Sequence, residues 1–290
     1  MDTTASTATA AVPAPPTGLR VPDVVNPDAI MRLLTSTGVE PDPTCAGLLA
    51  ELADLAAGDG AGTAADRFLA PGHADPGQRW ATFVAAHAYD GDAPDTLARP
   101  PWTLPAGQRG RPLTRTEQAL CRVAVQRWDT RSDVTPAQYA LAEASATTGE
   151  LAKLPIDAVT VTGQVQVALL GGRDQLPRTV ALDDWQSRFI LARLTVLAGR
   201  DRTLPFVYDG TDPGTAKAQA SASGNLARVL RVAGLGDDPT LTPTSIRNTC
   251  ARRLHDDGTR LEDIAAATGA KSLDRLWTLL TEPAPEGADM

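Results

Sequence analysis

Arg247 lies in TSIRNTCARRLHDDG, a stretch patterned as a helix. With Ile246 placed at 0° and ~100° per residue, Cys250 falls near 40°, Leu254 near 80° and Ala251 near 140°. Arg247 falls near 100°, inside that apolar face, whereas Arg252 and Arg253 fall outside it, near 240° and 340°. A guanidinium facing inward is costly unless it pairs with a carboxylate or meets an anion. Two chemistries follow: a buried ion pair, or a planar fork that grips two oxygens of a phosphate. Other reactive residues are scarce. The three histidines (His73, His87, His255) are expected in exposed or loop-like contexts, and no Ser/His/Asp or Cys/His arrangement can be assembled from them. The three cysteines (Cys45, Cys121, Cys250) are far apart without a CxxC, so neither a disulfide framework nor a metal cluster is expected. Gly171-Gly172 reads as a turn rather than a phosphate loop, because no helix with Lys-Ser/Thr follows it. No cofactor is implied.

The charge that could serve such an arginine is unevenly spread. The chain has 290 residues and a formal net charge of -8. Residues 1–108 hold 5 Arg and 13 Asp/Glu, a net of -8, while residues 109–290 hold 22 of each sign. A strongly acidic chain is a poor starting point for nucleic-acid binding. Within the neutral part, however, Arg109 to Arg131 sets six arginines against Glu117 and Asp129. No stretch reaches the ~18 unbroken apolar residues of a membrane span. The N-terminus is not read as a secretory signal, and a reducing cytoplasm is the expected setting.

The elements that would position these residues can be read from periodicity. Residues 1–22 and 283–290 are read as tails by composition. Helical patterns run over Asp28 to Leu34, Cys45 to Ala57, Ala64 to Leu69 and Gln78 to Tyr89, a helical first domain over 23–92. The Pro-, Gly- and Asp-dense 93–112 is expected to be a linker. A second domain, 113–282, opens with a Thr114/Glu117 capping box and continues with a helix from Thr135-Pro136 that ends near Gly149. From Asp157 to Leu182 the period falls to two, with a turn at Thr162-Gly163, which predicts a small antiparallel sheet. Helices follow at Trp185 to Leu197, around Leu226 to Val232, Pro243 to Asp257, Leu261 to Thr268 and Ser272 to Leu280. The fold class is therefore mainly α with a small antiparallel β-sheet.

Five stretches in this order resemble the catalytic domain of the tyrosine recombinase (phage integrase) family: RGRPLTRTEQ at 109–118, TTGELAKLPIDAV at 147–159, GGRDQLPRTVAL at 171–182, LTPTSIRNTCARRLHDDG at 241–258 and LEDIAAATGAKSLDRLWTLL at 261–280. The resemblance implies a recombinase-like catalytic fold preceded by a core-binding-like helical domain, with double-stranded DNA as partner. A second recombinase or a second copy of the chain is a further candidate partner. The family's chemistry uses a tyrosine that attacks the scissile phosphate, two arginines, a lysine and histidines. Carried over residue by residue, the second arginine is Arg247. The first falls on Thr147, the histidine three before Arg247 on Thr244, the next helix's histidine or tryptophan on Ala270, and the tyrosine on Leu279. The hairpin lysine is replaced by Arg173, a poor general acid because its pKa lies above ~12. Tyr89, Tyr139 and Tyr208 are expected to pack with their polar tips at a surface.

These residues imply a recombinase-like DNA-binding protein that is not an enzyme, acting in regulation or as an accessory to recombination or integration. Arg111, Arg115, Arg173, Arg178 and Arg247 are the expected phosphate contacts. Because Thr147, Thr244 and Ala270 are small, Arg247 is expected to face an open pocket. Two alternatives stand beside this reading. One is a protein-interaction module that has lost DNA binding and works through its acidic first domain. The other is a helix-turn-helix regulator built on Ala265 and Gly269, which would need an apolar residue where Arg275 stands.

Overall fold

The computed structural model describes residues 19–104, 108–128 and 133–281. Four helices come first: α1 (Pro27–Thr35), α2 (Thr44–Asp59), α3 (Ala61–Phe68) and α4 (Pro76–Asp90). Asn26 caps α1 by accepting from the Ala29 amide at 3.0 Å, with Pro27 at the first helical position, where its missing N–H costs nothing. The expected tails fall mostly outside the described residues. Residues 19–22 are described and correct the expectation: Leu19 and Val21 are buried, and the Val21 amide donates to the Ala61 carbonyl at 3.0 Å. His87 is likewise buried rather than exposed or loop-like, with Nε2 2.7 Å from the Arg20 carbonyl and Nδ1 2.8 Å from Asp92.

The rest comprises α5 (Arg115–Gln126), α6 (Val134–Glu143), α7 (Thr148–Leu151), β1 (Val159–Thr162), β2 (Gln164–Leu169), β3 (Arg178–Ala181), α8 (Asp184–Val196), α9 (Ala216–Val232), α10 (Pro243–Asp256), α11 (Leu261–Thr268) and α12 (Leu273–Thr281). The expected capping box closes α5: Thr114 accepts from the Glu117 amide, and Glu117 accepts from the Thr114 amide. The sheet is antiparallel in the order β1-β2-β3, with Val159 opposite Val167 and Val167 opposite Val180. On β2, Val165, Val167 and Leu169 are buried while Gln164 and Ala168 are exposed, the period-two pattern of a one-sided sheet. No described helix is long and apolar enough to cross a membrane.

One apolar core runs from Leu19 to Ile246, so the first four helices share their interior with the later domain. Trp80 Nε1 donates to the Gly234 carbonyl at 3.0 Å across that contact. The stretch read as a linker is fastened where it is described, since buried Arg99 donates to Asp238 at 3.3 Å and to the Thr103 carbonyl at 2.7 Å. A second, smaller cluster of Ala251, Ile264, Ala265, Leu276 and Leu280 holds α10, α11 and α12 together. Between α5, α6 and α8, the buried Glu143 carboxylate accepts from Gln118, Arg122, Tyr139 and Gln186, which satisfies a charge that would otherwise be prohibitive. Tyr139 therefore has a fully buried tip, not a surface one, and burial followed by Glu143 raises its pKa well above the usual phenol range.

Candidate nucleic-acid interface

The site begins where α6 ends. Ser145 has φ +90, at a place where a helix usually stops on glycine. Its amide donates to the Ala142 carbonyl and the Ala146 amide to Leu141, which closes the last turn. The Ser145 carbonyl then accepts from two guanidinium groups, Arg178 Nη2 at 2.6 Å and Arg247 Nε at 3.2 Å. α7 follows immediately, with Thr147 as its cap and Glu150 completing a capping box. Thr147, read from the sequence resemblance as standing in for an arginine, is thus engaged as the N-cap of a helix.

Glu150 takes its arginine from the hairpin instead. Arg178 donates to both Glu150 oxygens, at 2.8 and 3.2 Å, and its side chain is 4% exposed. Arg178, one of the expected phosphate contacts, has its donors engaged within the chain, on Glu150, on Ser145 and on the Leu176 carbonyl. Arg111, another expected phosphate contact, is engaged in the same way. It grips Glu117 with two bonds at 2.8 and 2.7 Å and donates to buried Asp238 at 2.8 Å. Burial alone would lower its pKa, but Glu117 and Asp238 outweigh that and raise it. Arg115 and Arg173 are exposed. The pairings of Arg111 with Asp238 and of Arg178 with Glu150 are invisible in sequence, because those partners come from distant elements.

Arg247, on α10, differs from these arginines. It donates to the Ser145 carbonyl, to Gln175 Oε1 at 2.7 Å and to the Thr268 carbonyl at 3.2 Å, all neutral oxygens. Among the described residues it makes no salt bridge, and Nη1 has no hydrogen-bond partner there. Burial, then the neighbouring Arg178, lower its pKa, the sign of a cation with too little compensating charge. Arg247 lines a cavity of about 520 Å³ that is also lined by Arg109, Lys271, Arg275 and a single acid, Asp174. Arg109 is brought there by the Gly110 carbonyl, which accepts from Asn248 Nδ2 of α10 at 2.8 Å. Lys271 donates to the Gly172 and Arg173 carbonyls, so its charge is solvated by backbone rather than neutralised. Sequence reasoning missed Lys271 and Arg275, since neither lies in a charge run. Ala270 and Leu279 also line this cavity, and Leu279 reaches a neighbouring one of about 380 Å³ where Arg115 lies.

The whole arrangement, helices around a three-stranded sheet with α10 to α12 closing one side, matches the crystal structure of XerA recombinase with a TM-score of 0.50 at 13% identity, over 88% of this chain and 85% of that one. The fold is that of a tyrosine recombinase. Two further structures are similar to this recombinase fold at lower scores. One is XerH site-specific recombinase bound to palindromic difH substrate (TM-score 0.48, 13% identity, 71% of this chain and 61% of that one). The other is the Tn1549 transposon integrase in complex with circular intermediate DNA (0.47, 14%, 72% and 74%). The sequence matches no protein-family model and no curated protein.

The Glu150–Arg178 pair has a consequence for acid stability. Burial alone would raise the Glu150 pKa, but Arg178 and Thr147 outweigh it and leave it lowered, and Asp238 is lowered in the same way by Thr240, Arg111 and Arg99. Both carboxylates bind protons less readily folded than unfolded. Their stabilisation is present above the ordinary carboxylate range and is lost as pH falls below about 4. The urea midpoint is expected to be flat near neutrality and to fall below that pH. The Arg178→Ala variant should show a shallower fall, because its Glu150 loses the guanidinium that favours the charged form.

Proposed function

We propose that this chain binds double-stranded DNA on the face carrying Arg247 and neither cuts nor rejoins it. The observation that carries this reading is the Arg247 cavity. It is lined by four cationic side chains and one carboxylate, and its central guanidinium meets only neutral oxygens. Such a cluster suits a phosphate, because each cation that meets one releases condensed counterions. The wider acidity of the chain does not oppose this locally, since field and affinity at a duplex depend on the charge of the contacting face.

The residues that the resemblance puts at the family's reacting positions support the absence of strand cleavage. Thr147 caps α7, Ala270 has no proton to give, and Leu279 has no nucleophilic oxygen. Tyr139 is buried against Glu143, and neither Tyr89 nor Tyr208 lines either cavity. With a nicked suicide duplex, the expected result is no covalent protein–DNA adduct by denaturing electrophoresis. Leu279→Tyr alone should give none either, because members of a catalytic unit act non-additively. A phosphotyrosyl adduct at any tyrosine of the natural chain would overturn this half of the reading.

A protein-interaction module is the second reading, favoured by one surface feature. Leu273 and Trp277 sit four apart on α12 and are 43% and 53% exposed. It predicts a chain that leaves duplex DNA unbound at ~50 mM salt, where phosphate contacts are strongest.

A further inference from the structure

The shortest contact of Arg247 is made within the chain, by the amide oxygen of Gln175 at 2.7 Å. Gln175 lies on the turn between β2 and β3, and several features hold that turn against the corner between α11 and α12. The Leu176 amide donates to the Gly269 carbonyl at 2.8 Å, and Gln175 forms a bridge with Ala270. Two glycines allow the approach. Gly171 has φ +70, and a Cβ there would meet the Pro177 nitrogen at 2.7 Å and the Gln175 carbonyl oxygen at 2.8 Å. Gly269 has φ +69, and its Cβ would meet the Leu176 oxygen at 2.8 Å and Arg178 Nη1 at 2.6 Å. Lys153 and Lys271 add bonds to the carbonyls of Gly171, Gly172 and Arg173. The backbone under Gln175 is thus pinned, while its side chain keeps three rotatable bonds at the rim of the cavity.

We infer that Gln175 is an internal, displaceable ligand of Arg247, occupying the place of one oxygen of an incoming phosphate and thereby setting how tightly the site binds one. The inference rests on the reading of this cavity as a phosphate site. A neutral amide oxygen binds a guanidinium less strongly than a charged phosphate oxygen does, so phosphate displaces it, at the cost of one hydrogen bond. Gln175 therefore lowers the affinity of the site and favours ligands that offer further oxygens to Arg109, Lys271 or Arg275.

The test is titration calorimetry of the full chain with inorganic phosphate, alongside duplex DNA binding, for the wild type, Gln175→Ala and Gln175→Glu. Removing the internal ligand should tighten phosphate binding about three- to tenfold, the equivalent of one net hydrogen bond. Gln175→Glu sets a carboxylate in the same place and should weaken it by more than about tenfold, as an ion pair replaces a neutral contact. Thermal melts confirm that each variant is folded. Equal phosphate affinity in all three, or no phosphate binding by any of them, overturns the inference whatever the DNA result. The expected phosphate order without any duplex binding sustains the inference and removes the DNA reading instead.

Discussion

Arg178→Ala should destabilise the fold by roughly 3–5 kcal/mol, the cost of breaking a buried pair and leaving one charge behind. Glu150 is the charge left. Its side chain is 2% exposed, and Arg178 supplies two of its bonds, the others coming from the Thr147 and Gly171 amides and the Thr147 hydroxyl. The Ser145 carbonyl loses its shorter donor in the same step. Arg178→Lys should recover little, because an ammonium cannot reach both carboxylate oxygens and the Ser145 oxygens as the planar fork does. A urea midpoint measured at neutral pH checks this. If the stability of Arg178→Ala stays within about 1 kcal/mol of wild type, Arg178 is not the structural residue described here, since a loss that small is typical of an exposed pair.

Arg247→Ala should behave in the opposite way. It gives up hydrogen bonds to neutral acceptors but also removes a desolvated cation beside Arg178, so its stability is expected within about 1 kcal/mol of wild type. Its affinity for duplex DNA should fall by about 1–3 kcal/mol, roughly five- to 150-fold, the range of a charge-assisted contact. The two arginines share the Ser145 carbonyl. The contrast between them therefore separates a residue that holds the fold from one that serves a ligand. A large stability loss with unchanged DNA affinity would make Arg247 structural as well.

Local signals in the sequence were strong where one element suffices to explain a residue. Thr114 caps a helix as its spacing with Glu117 suggests, and the change of period at 157–182 marks the sheet. Arg247 could be placed on an inward face because a helical wheel needs only its own helix. The start of α9 at Ala216 was less legible, since an Ala- and Ser-rich turn has little apolar contrast before Leu226. Arg111 and Arg178 look like free cations in sequence. Their partners, Asp238 and Glu150, lie 127 and 28 residues away, and only the fold makes those pairs. His87 and Tyr139 were misplaced for a related reason. A polar tip can be buried when the fold supplies its partner, here the Arg20 carbonyl from a distant segment for His87 and the Glu143 carboxylate, one turn further along the same helix, for Tyr139. Lys271 and Arg275 join Arg247 only because α11 and α12 fold back over α10.

The central claim is that the Arg247 face binds duplex DNA through its cations. Its most direct test is the affinity of the full chain for a random duplex, measured by fluorescence anisotropy across a series of salt concentrations. With Arg109, Arg247, Lys271 and Arg275 meeting about four phosphates, the log–log slope should lie near -3.6, and Arg247→Ala should make it shallower by about one unit without changing any sequence preference. No binding at ~50 mM salt, or a slope that the Arg247 substitution leaves untouched, would contradict it.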